Sequence, residues 1–363
     1  MGILFELPKK NWLLFFSLMV IVGCSSKKQQ EPVSFNEKNV NEVSVLLDAD
    51  SSNTIAQPAW IKSVSDGFLI YDIGLNKISK FDLQGHKLLS FGRKGRGPGE
   101  FLSVGGFWMF NDTYLVYDIN SLKLITYDST GNLITDIPLQ HADLPEIHSN
   151  IEAITPKQFV MPSAGKDGTL LALVNTASGN IHYFGKAVSK EYTPSYGDKM
   201  EKAISEGKIP SFYRNSVLLS HNQTGIFVFQ ETTALLQKYS LSGKLIWQKN
   251  VKIPAIAGLI KHVIKENRKR IKEGKFPLDY SYADAISANK EGVAVMLHMP
   301  KSQPVTIAWV PNDGEQITVI TYPAIKFVNP TLRLLRFALS DSSYVLFSST
   351  LGGKIYKAYW PER

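Results

Sequence analysis

Apolar and polar positions alternate in short runs along most of this chain, and the runs come in groups. Asp66-Gly-Phe-Leu-Ile-Tyr-Asp72 is followed by Lys77-Ile-Ser-Lys-Phe81, a turn at Gln84-Gly85 and a further run from Lys87. The same order returns over Asn111–Ile134, again with a Tyr-Asp pair closing one run and a Gly opening the last. Alternation with period two, punctuated by Gly, Asn and Asp, predicts consecutive antiparallel strands. Weaker copies centre on Lys157–Met161 with Leu170–Val174, on Thr224–Phe229 with Leu236–Gly243, and on Glu291–Met296 with Val305–Trp309. A sixth pairs Ser342–Phe347 with Lys354–Trp360. One more apolar run precedes each copy, such as Ala59–Val64 or Leu332–Leu339, which makes four strands per unit.

Six such units in an all-β chain predict a six-bladed β-propeller, in which each sheet buries its faces against its neighbours around a central axis. The sixth unit is one strand short, whereas Glu42–Leu47 belongs to no unit. Ring closure removes an unpaired edge, so this N-terminal segment is expected to complete the last blade. With strands labelled A to D from the axis outward, the A–B and C–D turns are short. The long connections, 92–102, 138–149, 186–211, 252–280 and 323–331, all join D to A and therefore share one face, the expected binding face. Two of these D–A loops carry helical insertions. Pro254–Gly274 places Ile256, Ile260, Val263 and Ile264 at helical spacing before a glycine stop, and Asp198–Gly207 is its shorter partner.

The run Ile70–Phe101, with its Asp…Asn-x-Ile…Phe-Asp…Gly core and its Gly-rich exit, resembles an NHL-type blade. The whole chain resembles the six-bladed NHL-like or TolB-like propeller lipoproteins of Gram-negative bacteria. That resemblance is sharp over 67–138 and continues afterwards as pattern alone.

The first residues supply an address. Lys9 and Lys10 precede the apolar run Trp12–Gly23, which fits a secretory signal and is too short to span a bilayer. It ends at Ile21-Val-Gly-Cys24, which resembles a bacterial lipobox and implies lipidation of Cys24, the only cysteine of the chain. The expected organisation is a signal peptide over 1–23, a polar tether over 24–40 and a propeller over 41–363. The predicted location is the cell envelope, lipid-anchored, with a periplasm-facing outer-membrane position favoured over a surface-exposed one.

Hydrophobic residues make up 44% and charged residues 20% of 363, which excludes a disordered or collagenous chain. A single cysteine excludes an intramolecular disulfide. The net charge of +8 is concentrated in Lys261–Lys275, with seven Lys or Arg against two Glu, so it describes one segment rather than a nucleic-acid groove. This segment reads either as a lid over the channel, a surface for anionic polymer or lipid, or a solvated helix docked by its apolar face.

Candidate ligand-binding residues are Arg93 and Arg96 in the first D–A loop, Trp108 on an inner strand, and His141, His148 and His298 near the loop-rich face. Trp60 shares the inner-strand reading with Trp108. Asp72 and Asp118 are read as turn caps in preference to calcium ligands. The other histidines, His221 included, are assigned to turns, an outer strand or the basic helix. No metal site or cofactor is expected, and no hydrolase elbow or phosphate loop is present. The functional expectation is a non-catalytic, monomeric module that binds a protein, peptide or glycan. A metal-assisted lyase or hydrolase using the histidines is the alternative.

Overall fold

The structure, a computed structural model, describes residues 35–139, 150–163, 165–190, 197–300, 302–326, 335–341 and 343–361. Cys24, His141 and His148 lie outside the described residues. Two strands come first, β1 (Phe35–Asn39) and β2 (Val43–Asp48). Blade 1 holds β3 (Pro58–Val64), β4 (Gly67–Asp72), β5 (Lys77–Phe81) and β6 (Lys87–Phe91). Blade 2 holds β7 (Val104–Phe110), β8 (Thr113–Asp118), β9 (Lys123–Tyr127) and β10 (Leu133–Pro138). Blade 3 is β11 (Glu152–Thr155), β12 (Gln158–Pro162), β13 (Thr169–Asn175) and β14 (Ile181–Lys186). Helices α1 (Asp198–Ser205) and α2 (Ser211–Arg214) lead into blade 4, made of β15 (Val217–Asn222), β16 (Gly225–Gln230), β17 (Leu235–Tyr239) and β18 (Leu245–Asn250). Helix α3 (Leu259–Lys272) leads into blade 5, made of β19 (Ala283–Ala288), β20 (Gly292–Leu297), β21 (Pro304–Pro311) and β22 (Ile317–Lys326). Blade 6 has β23 (Leu335–Leu339), β24 (Tyr344–Ser349) and β25 (Lys354–Tyr359) from the C-terminus.

The fourth strand of blade 6 is β2. It runs antiparallel to β25, with Val43 opposite Ala358 and Asp48 opposite Lys354. The fold is thus a six-bladed all-β propeller, with the ring completed from the N-terminal side as the unpaired run predicts. Leu47 seats the closing strand in a core shared by blades 1 and 6, with Ile55, Phe68, Phe81, Leu346 and Ile355. An ion pair between Lys354 and Asp48, 3.0 Å, sits at the end of the pairing.

The folded unit begins at Phe35, earlier than the tether boundary at residue 40 implies. β1 adds to the outer edge of blade 5, parallel to β22, making that sheet five-stranded. Phe-Asn-Glu-Lys-Asn has no apolar alternation because four of its five side chains are exposed. Backbone pairing with β22 is its main hold, with Phe35 the one side chain packed on the core, and such pairing leaves no trace in a hydrophobic pattern.

Burial follows position in the blade. The B strands β4, β16, β20 and β24 are buried at every residue, since neighbouring blades cover both of their faces. Outer β18 alternates with exposed positions. Gly67, Gly225 and Gly292 open three B strands for one reason: a Cβ there would meet a strand-C carbonyl oxygen at 1.9, 2.3 or 2.4 Å.

Asp72 and Asp118 are caps, and they also stitch. Asp72 accepts from Leu75 N in the B–C turn and from Ala56 and Gln57 N in the incoming D–A link, at 2.7–3.1 Å. Asp118 does the same with Asn120, Leu102 and Ser103. Each carboxylate therefore fixes where its inner strand starts. Asp82 and Asp128 close the C–D turns by accepting backbone N–H groups two and four residues on.

The basic segment is a docked helix. Ile260 and Val263 of α3 are buried with Ile256, Val251, Ile253, Tyr280 and Tyr282. Buried Asn267 holds Leu278 through both its backbone groups, and α1 packs alongside, where Arg268 Nε donates to Ser205 O.

Because β2 closes the ring and β1 only lengthens one sheet, truncations should separate the two. A chain starting at Val40 loses five cross-strand positions and should be about 1–3 kcal/mol less stable. A chain starting at Asp50 opens blade 6 and should lose its single cooperative transition. Thermal melts followed by circular dichroism distinguish these outcomes.

Candidate functional site

The inner strands β3, β7, β11, β15, β19 and β23 surround an axial cavity of about 780 Å³. Its wall runs from Ser65, Asn111, Asp112 and Gln223 at the A–B turn side to Asn150, Asp284 and Arg336 near the starts of the inner strands. Among the described residues none of α1 or α3 lines it.

Midway along the wall, four blades contribute to one polar cluster. The Glu152 carboxylate accepts from Lys62 Nζ at 3.0 Å, from Trp108 Nε1 at 3.0 Å and from His221 Nδ1 at 2.9 Å. These partners stand 90, 44 and 69 residues from Glu152 in sequence. The Lys62 ammonium also lies 4.8 Å from the centre of the Trp108 ring. The Glu152 side chain is only 9% exposed. Burial alone pushes its pKa up; the charge of Lys62, the hydrogen bond and charge of His221 and the Trp108 N–H outweigh that and bring it down to about 2. Accepting from Nδ1 fixes that nitrogen of His221 as the protonated one.

Trp108 owes its position to a neighbour without a side chain. A Cβ on Gly106 would stand 2.2 Å from the indole. Gly106 and Trp108 are alternate residues of β7 and so share a face, and the ring lies across the glycine. Its edge-on contact with Phe159 of blade 3 completes the seat.

A second polar pair stands near the D–A side. Asp284, second residue of β19, is buried and accepts from His298 Nδ1 at 2.7 Å. His298 follows β20, and its backbone N–H donates to Tyr282 O.

Of the residues singled out from sequence, Trp108 lines the channel and His298 reaches it through Asp284. Arg93 and Arg96 do not line it. Arg93 Nε donates to Glu100 Oε1 at 2.6 Å, and Glu100 also accepts from Gly97 N at 2.8 Å. The glycine-rich loop is thereby folded on itself, and further bonds tie it to blade 2: Gly99 N donates to Asp136 and Tyr127 Oη to Gly99 O. His221, assigned from sequence to a turn, stands instead on inner strand β15. Lys62, Glu152, Asp284 and Arg336 drew no attention. The usable signal was position, since each polar residue on an A strand is a channel candidate. Among the described residues no group of three His, Cys, Asp or Glu side chains is arranged to hold a metal ion, and no helix is long and apolar enough to cross a membrane.

A family model described as a 6-bladed beta-propeller matches residues 26–150, which span the two N-terminal strands and the first two blades. No curated protein matches the chain. Among solved structures, a Bacteroides fragilis protein described as exported superimposes with a TM-score of 0.54 at 13% identity, covering 90% of this chain and 99% of that one. A member of the duf4221 family from Bacteroides vulgatus gives 0.51 at 12% identity, covering 88% and 98%. A virginiamycin B lyase from Staphylococcus aureus gives 0.49 at 12% identity, covering 88% and 99%. At such identities the likeness is one of fold.

Two outcomes test the cluster. The folded-state pKa of Glu152 lies below its ordinary 4.5, so its contribution is present above pH 4.5 and is lost as the pH falls toward 2. The gap corresponds to about 3 kcal/mol, so urea unfolding of the wild type should lose about that much more stability across this window than Glu152→Gln does. Gly106→Ala should push Trp108 off its seat and destabilise by about 1–3 kcal/mol, read as a lowered Tm with a change in tryptophan emission.

Proposed function

We propose that this chain is an exported, lipid-anchored propeller of the cell envelope. It acts as a monomeric, non-catalytic module that binds a protein, peptide or glycan at the loop-rich mouth of its channel. The observation that carries the reading is the state of Glu152. A carboxylate already accepting from three donors, with its pKa at about 2, is a fixed anion. Proton transfer needs a group whose pKa lies near the working pH, so the best-built polar cluster of the channel is suited to recognition rather than acid–base work. Export is supported by the signal-like run ending at Cys24, and by the description of the Bacteroides fragilis fold neighbour as exported. Acylation of Cys24 would anchor the chain to a membrane, and a periplasm-facing position at the outer membrane is favoured over a surface-exposed one. The NHL-like and TolB-like resemblance of the blade sequence agrees with such an address.

One observation favours the alternative, a metal-assisted lyase or hydrolase. Asp284 orients His298 through Nδ1, a carboxylate–histidine pairing of the kind that accompanies metal-ligating histidines.

Purified chain screened by thermal shift against short peptides and oligosaccharides, with Lys62→Met and Trp60→Ala as controls, tests the binding reading. A rise in Tm for one ligand class that the control variants lose is the expected result. A stoichiometric divalent ion that disappears in His298→Ala, accompanied by turnover, would replace the binding role with the metal-assisted one. Radiolabelled palmitate incorporated into the wild type and not into Cys24→Ala tests the anchor.

A further inference from the structure

We propose that the exposed face of α3 and the turn after it form a docking surface for anionic lipid headgroups. The helix is amphipathic and its apolar side is already used, with Ile260 and Val263 buried in the propeller. What remains outward is basic: Lys261, Lys265, Arg268, Lys269 and Lys272 are exposed, and Lys275 continues the series past the helix end. Glu266 and Glu273 are the only acids between 261 and 275. Cations on one face of a helix attract an anionic surface at about 1 kcal/mol for each residue that comes close.

The second observation is Phe276. It is 75% exposed, more than any other large hydrophobic residue described. The turn around it is well held: Gly274 ends the helix at φ +66°, and Arg270 Nε donates to the Phe276 carbonyl at 2.7 Å. An exposed aromatic residue close in sequence to Lys272 and Lys275 matches the composition of segments that lie in a membrane interface.

The third observation is reach. Residues 25–34 separate Cys24 from the folded unit and extend at most about 36 Å. An acylated Cys24 therefore keeps the propeller within that distance of the bilayer. This surface rests on the membrane-attached reading above, and it would turn a loose tether into an oriented attachment.

The test uses chain from Ser25, which keeps the whole folded unit and carries no lipid, so its failure leaves the anchor reading standing. Cosedimentation with phosphatidylglycerol–phosphatidylcholine vesicles is compared with pure phosphatidylcholine. Binding confined to the anionic vesicles and weakened by salt is expected. Each of Lys265→Ser, Lys269→Ser and Lys272→Ser should weaken it by about fivefold, and Phe276→Ser should weaken it without changing the salt dependence. Circular dichroism of each variant confirms the fold. Absence of vesicle binding, equal binding to both vesicle types, or binding to heparin without binding to vesicles would overturn the proposal.

Discussion

Every blade of this molecule depends on one pairing, that of β2 with β25. A propeller ring has no covalent closure between its first and last sheets, so blade 6 must be made from both chain ends or remain a three-stranded sheet with an open edge. Val43–Asp48 supplies the missing strand, and Leu47 ties it into a core that spans blades 1 and 6. The inner strands then have a fixed circumference. Lys62 on blade 1, Trp108 on blade 2, Glu152 on blade 3 and His221 on blade 4 reach hydrogen-bonding distance only because that circumference is set.

The channel cluster illustrates how a ring handles buried charge. A nearly buried carboxylate would ordinarily take up a proton to escape the cost of desolvation. Here a cation, an imidazole and an indole N–H arrive from separate blades, and together they outweigh that cost. Removing any one would leave the others with an uncompensated partner, so the cluster also reports on whether neighbouring blades are in register.

The repeat pattern made blade number, turn positions and the borrowed strand legible in the sequence, because each is a matter of local alternation and of counting strands. Asp72 and Asp118 were readable as caps, while their bonds to the preceding D–A link depend on chain segments that only the closed blade brings close. Glu152 was hidden for a different reason. It opens a four-residue strand, the shortest of the inner strands, in a blade beyond 138, where the repeat continues as pattern alone. His221 looked like a turn residue because Asn222 and Thr224 follow it closely. The arginines of the first D–A loop drew attention through their glycines, yet Glu100 engages Arg93 and closes the loop on itself. Fold follows from short-range periodicity, whereas the channel chemistry follows from which blades face one another across the axis.

The outermost strand gives the molecule a mechanical property. Traction on the N-terminus is transmitted first to β1, whose five residue pairs with β22 lie in a continuous parallel register. Only after those pairs have yielded does load arrive at β2. The ring is thus shielded by a sacrificial strand, and a pull on that end frays blade 5 at its rim before it can unlatch blade 6.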